Sequence, residues 1–135
     1  MKTKITENHA LKQAKAQFVS IKEMVENYRL AQESDDDNAQ DKARQRIEED
    51  ALSVQVRSTW HRPGEEAETG GEFEILLCTG GPACRIIGEL DEYNQPESAT
   101  IQHQDWGTPW TDHRLESSEE DNILLDYCRV FYFGE

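Results

Sequence analysis

Basic side chains are scarce in this chain of 135 residues, where 14 Lys and Arg stand against 28 Asp and Glu and the formal net charge is −14. The shortage is greatest after residue 61, because residues 62–135 contain 4 basic and 17 acidic side chains, whereas residues 1–61 contain 10 and 11. Nucleic-acid-binding surfaces need clustered Lys and Arg, so direct binding of DNA or RNA is disfavoured. A strongly negative field favours basic partners and repels anionic membranes, although acidity also serves solubility alone.

Long apolar runs and a cysteine framework are also missing. No stretch approaches the roughly 20 apolar residues of a membrane span, and the chain opens on Met-Lys-Thr-Lys rather than on the apolar core of a signal peptide. Cys78, Cys84 and Cys128 are an odd number of cysteines in apolar surroundings, which indicates free thiols in a reducing compartment. These absences predict a soluble, cytoplasmic protein.

Motifs for metals and cofactors are missing as well. The histidines and cysteines show neither CxxC nor HxxxH spacing, and Asp35-Asp36-Asp37 lacks the downstream glycine and glutamate of a calcium loop. The turn at Gly80-Gly81 lacks the lysine of a phosphate loop. We expect no metal and no cofactor.

Residues 1–51 are predicted to form an N-terminal helical segment. Residues 7–33 show apolar side chains at alternating spacings of three and four, which is typical of a narrow helical stripe; they are Leu11, Ala14, Phe18, Ile21, Val25 and Tyr28. This stripe either packs on the sheet of its own chain or pairs with another chain, such as a second copy in a homodimer. A second helix over residues 38–49 has only a thin apolar stripe, at Ala39, Ala43 and Ile47.

Residues 52–135 are predicted to form an acidic α+β body centred on a hairpin. Two apolar runs flank Gly80-Gly81-Pro82, residue types that make a tight turn and predict strands over residues 72–78 and 83–91. Alternation over residues 52–60 predicts another strand, with Val54, Val56 and the neighbourhood of Trp60 toward the core.

The remaining body is predicted to contain a fourth strand over residues 98–106 and a final helix over residues 118–132. The segment between them, residues 106–111, is expected to be irregular, with two tryptophans at the edge of the core. The predicted fold is therefore α+β, with N-terminal helices, a four-stranded antiparallel sheet and a C-terminal helix packed on that sheet.

Carboxylates placed on ordered strands and turns form the first candidate site. Such a surface can imitate the phosphate field of a nucleic acid and occupy a basic groove on another protein. Further acids at the start of the last helix also suit the helix dipole. The candidate binding residues are Glu65, Glu66, Glu68, Glu72, Glu74, Glu89, Asp91 and Glu92, with Glu97 beside them.

The turn Cys78-Thr79-Gly80-Gly81 is the alternative candidate site, for a small ligand or for catalysis. Cys78 would be the nucleophile, with His61 or His103 as base and with Asp105 and the tryptophans nearby. The backbone N–H groups of the turn would hold an oxyanion. A purely structural role explains the same pattern, since a cysteine can pack beside a hairpin turn as a small apolar residue with no part in catalysis.

Four segments of the chain resemble a group of small uncharacterised proteins of bacteriophages and prophages. They are residues 52–60 (LSVQVRSTW), 75–83 (ILLCTGGPA), 104–110 (QDWGTPW) and 131–135 (FYFGE). The resemblance implies a phage accessory protein acting in the cytosol of a bacterial host. By analogy of size, charge and origin, the resemblance points to inhibitors of host defence, such as anti-CRISPR and anti-restriction proteins.

The sequence thus favours a non-enzymatic accessory protein that binds a basic, nucleic-acid-handling host protein through its acidic surface. A ligand-binding or catalytic domain at the Cys78 turn and an oligomeric assembly protein are the alternatives.

Overall fold

The computed structural model of the chain describes residues 9–58, 60–66, 70–79, 82–105 and 108–133. Within them lie three helices and a five-stranded antiparallel sheet in which the strands follow one another in chain order. No helix in this part of the chain combines the length and the apolarity that crossing a membrane requires. The elements are α1 (His9–Glu33), α2 (Asp37–Asp50), β1 (Ser53–Arg57), β2 (Gly71–Cys78), β3 (Ala83–Leu90), β4 (Thr100–Gln104), β5 (Thr111–His113) and α3 (Ser118–Cys128).

The α+β class, the order of helices and sheet, and the central hairpin of β2 and β3 agree with the sequence prediction. The sheet has five strands rather than four, because the three residues of β5 pair with β4 at the end of a segment expected to be irregular. The turn residues Gly80 and Gly81, together with Glu68 and Trp106, lie outside the described residues.

Helix α1 places its predicted stripe inside the chain, except that Leu11 near the start of the helix is only half-buried. Ala14, Phe18, Ile21 and Val25 are buried in the hydrophobic core, and Tyr28 packs against it half-buried. The helix lies over β3 and β4 and also contacts the other two helices. These side chains therefore pack α1 on the sheet of its own chain.

The other two helices start at side-chain caps and close the same core. Asp36 accepts hydrogen bonds from the backbone N–H groups of Asn38 and Ala39 at 3.0 and 3.2 Å, and Ser117 accepts one from Glu120 at 3.2 Å. From α2, Ala43 and Ile47 are buried; from α3, Ile123, Leu124, Tyr127 and Cys128 are. The last helix ends at Cys128 rather than at residue 132.

Polar contacts fix how the helices sit relative to one another. The hydroxyl of Tyr127 on α3 donates a hydrogen bond to Asp50 Oδ2 at the end of α2, at 2.7 Å. Arg29 of α1 forms an ion pair with Asp126 of α3 at 2.5 Å. Beyond α3, the ring of Phe133 lies 4.8 Å from the ring of Phe73 on β2, so the chain after the helix covers this end of the sheet.

Strand β1 corrects the prediction that its valines point into the core. Val54 and Val56 pair with Ile75 and Phe73 and so share their face of the sheet, yet they are 36% and 54% exposed. Trp60 is 100% exposed rather than near the core. Alternation predicts which side chains share a face, but α1 covers β3 and β4, two strands away from this edge.

We expect Tyr127→Phe to lower the free energy of unfolding by about 1–3 kcal/mol, because a buried hydroxyl loses its bond to a charged carboxylate. Urea unfolding followed by circular dichroism measures the change. Tyr132→Phe is the matched control, since that side chain is exposed and should change little. Equal stability of the two variants would contradict a stabilising Tyr127–Asp50 contact.

Candidate functional site

An open cavity of about 1120 Å³ lies where β1 ends, β2 begins and β3 ends. We call it the acidic cleft, because the described residues of its walls carry five carboxylates against one guanidinium. An exposed indole and an imidazole complete its polar lining. Its residues are Arg57, Ser58, Trp60, His61, Gly70, Gly71, Glu72, Glu89, Leu90, Asp91, Glu92 and Glu97.

A glycine allows the two strands on one side of the cleft to approach closely. Gly71 has φ of +105°, and a Cβ placed there would lie 2.2 Å from the carbonyl oxygen of Arg57 on β1. Any larger residue would force β1 away from β2 at the mouth of the cleft. The chain therefore needs glycine at this position to keep Arg57 and Glu72 side by side.

The opposite rim of the cleft is the turn after β3, which Asp91 organises. Asp91 Oδ1 accepts hydrogen bonds from the backbone N–H groups of Tyr93 and Gln95 at 2.8 and 2.9 Å. Asn94 adopts φ of +59°, and its side-chain oxygen accepts a hydrogen bond from Gly70 N–H at 3.3 Å across the cleft. These bonds fix the backbone that carries Glu92.

The five carboxylates of the cleft differ in how far they are neutralised. Glu72 is paired with Arg57 on the neighbouring strand, and Asp91 is engaged in its turn. Glu89, Glu92 and Glu97 are exposed and have no side-chain partner within the described part of the chain. The cleft thus holds three uncompensated negative charges on a defined backbone.

The predicted acidic surface is only partly gathered here. Of the eight candidate binding residues, Glu72, Glu89, Asp91 and Glu92 line the cleft. Glu65 and Glu66 are exposed but are not among the residues that line it, and Glu68 lies outside the described residues.

Glu74 belongs to a different arrangement, on the face of the sheet away from the helices. It accepts a hydrogen bond from Arg85 at 2.6 Å, and both side chains are mostly buried. Arg85 also donates to Gln102 at 2.9 Å and lies 4.1 Å from the centre of the Trp110 ring. Glu74 is therefore neutralised and does not contribute a free charge.

Sequence reasoning missed that two of the few arginines, Arg57 and Arg85, pair with predicted site residues. Strand alternation places Arg57 opposite Glu72 and Arg85 diagonally across from Glu74. The register between neighbouring strands would have revealed these two ion pairs, and amino-acid composition alone does not give that register.

The catalytic candidates divide between opposite ends of β2. Cys78, Cys84 and His103 occupy neighbouring positions on β2, β3 and β4. His61 lines the acidic cleft together with Gly71. Gly71 begins β2 and lies about 23 Å along this eight-residue strand from Cys78, at the usual rise per residue. The structure brings His103 beside Cys84 but does not bring His61 to Cys78.

The thiols of this row are poor nucleophiles at neutral pH. Burial raises the pKa of Cys78, which lies against Gln13 and Gln17 of α1, and burial together with the nearby Cys78 raises the pKa of Cys84 to about 12. Catalytic thiols have lowered pKa values instead. Among the described residues, no group of three His, Cys, Asp or Glu side chains is placed to hold a metal ion.

Comparison of the chain with models of protein families, with curated proteins and with solved structures finds no match in any of the three. The assignment of function rests on the geometry of the cleft and on its charges.

We expect iodoacetamide to modify the folded protein at neutral pH far more slowly than it modifies a free small thiol, because the pKa values of Cys78 and Cys84 are raised. The rate should rise as pH increases above 9, since deprotonation then supplies thiolate. Mass spectrometry of intact protein measures it, with urea-unfolded protein as the control in which all three thiols react. Rapid single labelling of Cys78 at pH 7 would contradict the protonated state.

Proposed function

We propose that this chain is a non-enzymatic protein-binding module whose acidic cleft receives a basic segment of a partner protein. The observation that carries the proposal is the joint presence, around one cavity, of the fully exposed Trp60 and of three carboxylates without a partner among the described residues, Glu89, Glu92 and Glu97. Separate acidic patches would attract a basic segment but would offer no cavity for its side chains. A walled cavity adds a place for the basic side chain to enter.

Lys or Arg side chains match both features of the cleft. Their positive charge suits the carboxylates, and a cation over the face of an indole gains further electrostatic attraction. A planar guanidinium can also stack on such a ring while hydrogen-bonding to a carboxylate. An arginine-containing segment is therefore the preferred occupant.

The partner class we propose is a nucleic-acid-handling protein of a bacterial host. Basic grooves of such proteins bind rows of phosphates, and carboxylates held on β3 and on the turn after it present negative charge on a similarly fixed frame. With the resemblance to phage proteins, this chemistry supports a role as an inhibitor of host defence, of the anti-CRISPR or anti-restriction kind. A nucleic acid should then compete with the chain for its partner.

The two alternative functions draw less support from the structure. Catalysis at Cys78 needs an activated thiolate, whereas burial keeps the thiols of its row protonated. Assembly through the stripe of α1 needs free side chains, whereas Phe18, Ile21 and Val25 already pack in the core.

The proposal is tested by binding of a fluorescently labelled peptide of alternating Arg and Gly, followed by anisotropy. Replacing Glu89, Glu92 and Glu97 together by Gln should weaken binding about tenfold, since each exposed ion pair contributes roughly 0.5 kcal/mol. Affinity of the unaltered protein should fall between about 50 and about 200 mM NaCl as salt screens these charges.

The matched control replaces Glu23, Glu26 and Glu33 of α1 by Gln, which changes the net charge equally but leaves the cleft intact. We expect little loss of affinity in this control. Equal losses in the two triple variants would show that only net charge matters and would refute the cleft as the binding site.

A further inference from the structure

Strand β1 is an edge strand with an unprotected apolar surface. Within the described residues it pairs only with β2, so one side of its backbone faces solvent. On the helix side of the sheet, Val54 and Val56 are exposed, and Leu52 just before the strand is 60% exposed. This surface adjoins the acidic cleft, whose lining includes Arg57 of β1 but none of these three apolar side chains.

The opposite edge of the sheet, formed by β5, has features that keep an edge strand from pairing with another chain. Strand β5 has only three residues, contains Asp112 at its centre and follows Pro109 closely. Short length, charge and proline are the usual features that keep sheet edges from pairing. Residues 52–58 contain no proline, no lysine and no acidic residue, and their one charged side chain, Arg57, is paired with Glu72.

We propose that β1 pairs antiparallel with β1 of a second copy of this chain, about a twofold axis at Gln55. In this register Val54 lies opposite Val56 of the second copy, Ser53 lies opposite Arg57, and the two Gln55 side chains face each other. The two sheets join into one sheet of ten strands with the helices of both copies on the same side. Since α1 lies over β3 and β4, this helix does not stand over the seam.

The choice of a second copy follows from how the side chains match across that axis. On the helix side of the sheet, Phe73 of β2 and Val56 of β1 form an apolar row across the two strands. In the proposed register this row continues into Val54 and then Ile75 of the second copy. On the opposite side the two Gln55 amides can donate to and accept from each other.

The charges near the seam are compatible with two acidic chains meeting there. Glu72 is paired with Arg57 and Glu74 with Arg85, so the carboxylates next to β1 are neutralised within each copy. No acidic residue of one β1 meets an acidic residue of the other. Two copies that meet at β1 therefore avoid the repulsion between carboxylates that contact through most other parts of the acidic surface would create.

A seam of five residues per copy is small beside the roughly 1,200–2,000 Å² that stable interfaces bury, so it predicts a weak dimer that forms as protein concentration rises. Because added salt screens the repulsion between two chains of like charge, the dimer should persist or strengthen as salt rises. Binding at the acidic cleft should weaken under the same change, so failure of one proposal can be told from failure of the other.

Sedimentation equilibrium of the full chain over a range of concentrations tests the dimer. We expect Val56→Lys to raise the dimer dissociation constant about tenfold or more, because it buries a charge in the seam of both copies. Val19→Lys is the matched control, since Val19 on α1 is 57% exposed against 54% for Val56, and it should leave the dimer unchanged.

The register is tested separately by Gln55→Cys under diamide. Opposite residues of an antiparallel pair lie at a Cα separation that suits a disulfide. Two thiols give up two electrons and two protons to diamide, which is reduced to the hydrazine, and one S–S bond forms between the copies. We expect a covalent dimer with Gln55→Cys and much less with Ser53→Cys or with the native cysteines.

A monomer at every concentration reached would overturn the proposal, as would a dimer that survives Val56→Lys. Cross-linking that is stronger through Ser53→Cys than through Gln55→Cys would refute the register. Protection of β1 amides from hydrogen exchange by a foreign extended peptide, with the chain itself monomeric, would assign the edge to a different partner.

Discussion

The packing of α1 across β3 and β4 is the interaction on which the rest of this structure depends. Phe18, Ile21 and Val25 share one core with Ile86 of β3 and Ile101 of β4, and the same helix holds α2 and α3 in place. A single helical layer covers one face of the sheet. The other face carries no helix in the described part of the chain, and the β1 edge meets solvent. The acidic cleft and the proposed seam lie in these regions.

The uncovered face shows how an acidic chain with few basic residues arranges its charges. Arg57 and Arg85 lie on adjacent strands from Glu72 and Glu74 and neutralise them. Glu89, Glu92 and Glu97 receive no such partner in the described part of the chain and surround the cleft instead. Other exposed acids lie elsewhere, on α1 among other places, so what distinguishes the cleft is that three such charges surround one cavity beside Trp60.

Periodicity in the sequence was enough to predict the helices, the central hairpin and the α+β class. Their long apolar patterns leave few alternatives, whereas β5 has three residues and no pattern of its own. The exposure of Val54 and Val56 depends on where a distant helix lies, and the ion pair of Glu74 with Arg85 depends on strand register. The cleft could be predicted as a set of acids, but not as a cavity that includes Trp60 and His61.

The central claim is that basic segments bind in the acidic cleft rather than along the acidic surface as a whole. Nuclear magnetic resonance of ¹⁵N-labelled protein titrated with the arginine-containing peptide tests it most directly. The account predicts that chemical shifts change at the Trp60 indole N–H, at Gly70 and Gly71, and at residues 89–97, with α1 unaffected. Shifts spread over the exposed acids of α1, with the Trp60 indole unchanged, would contradict it.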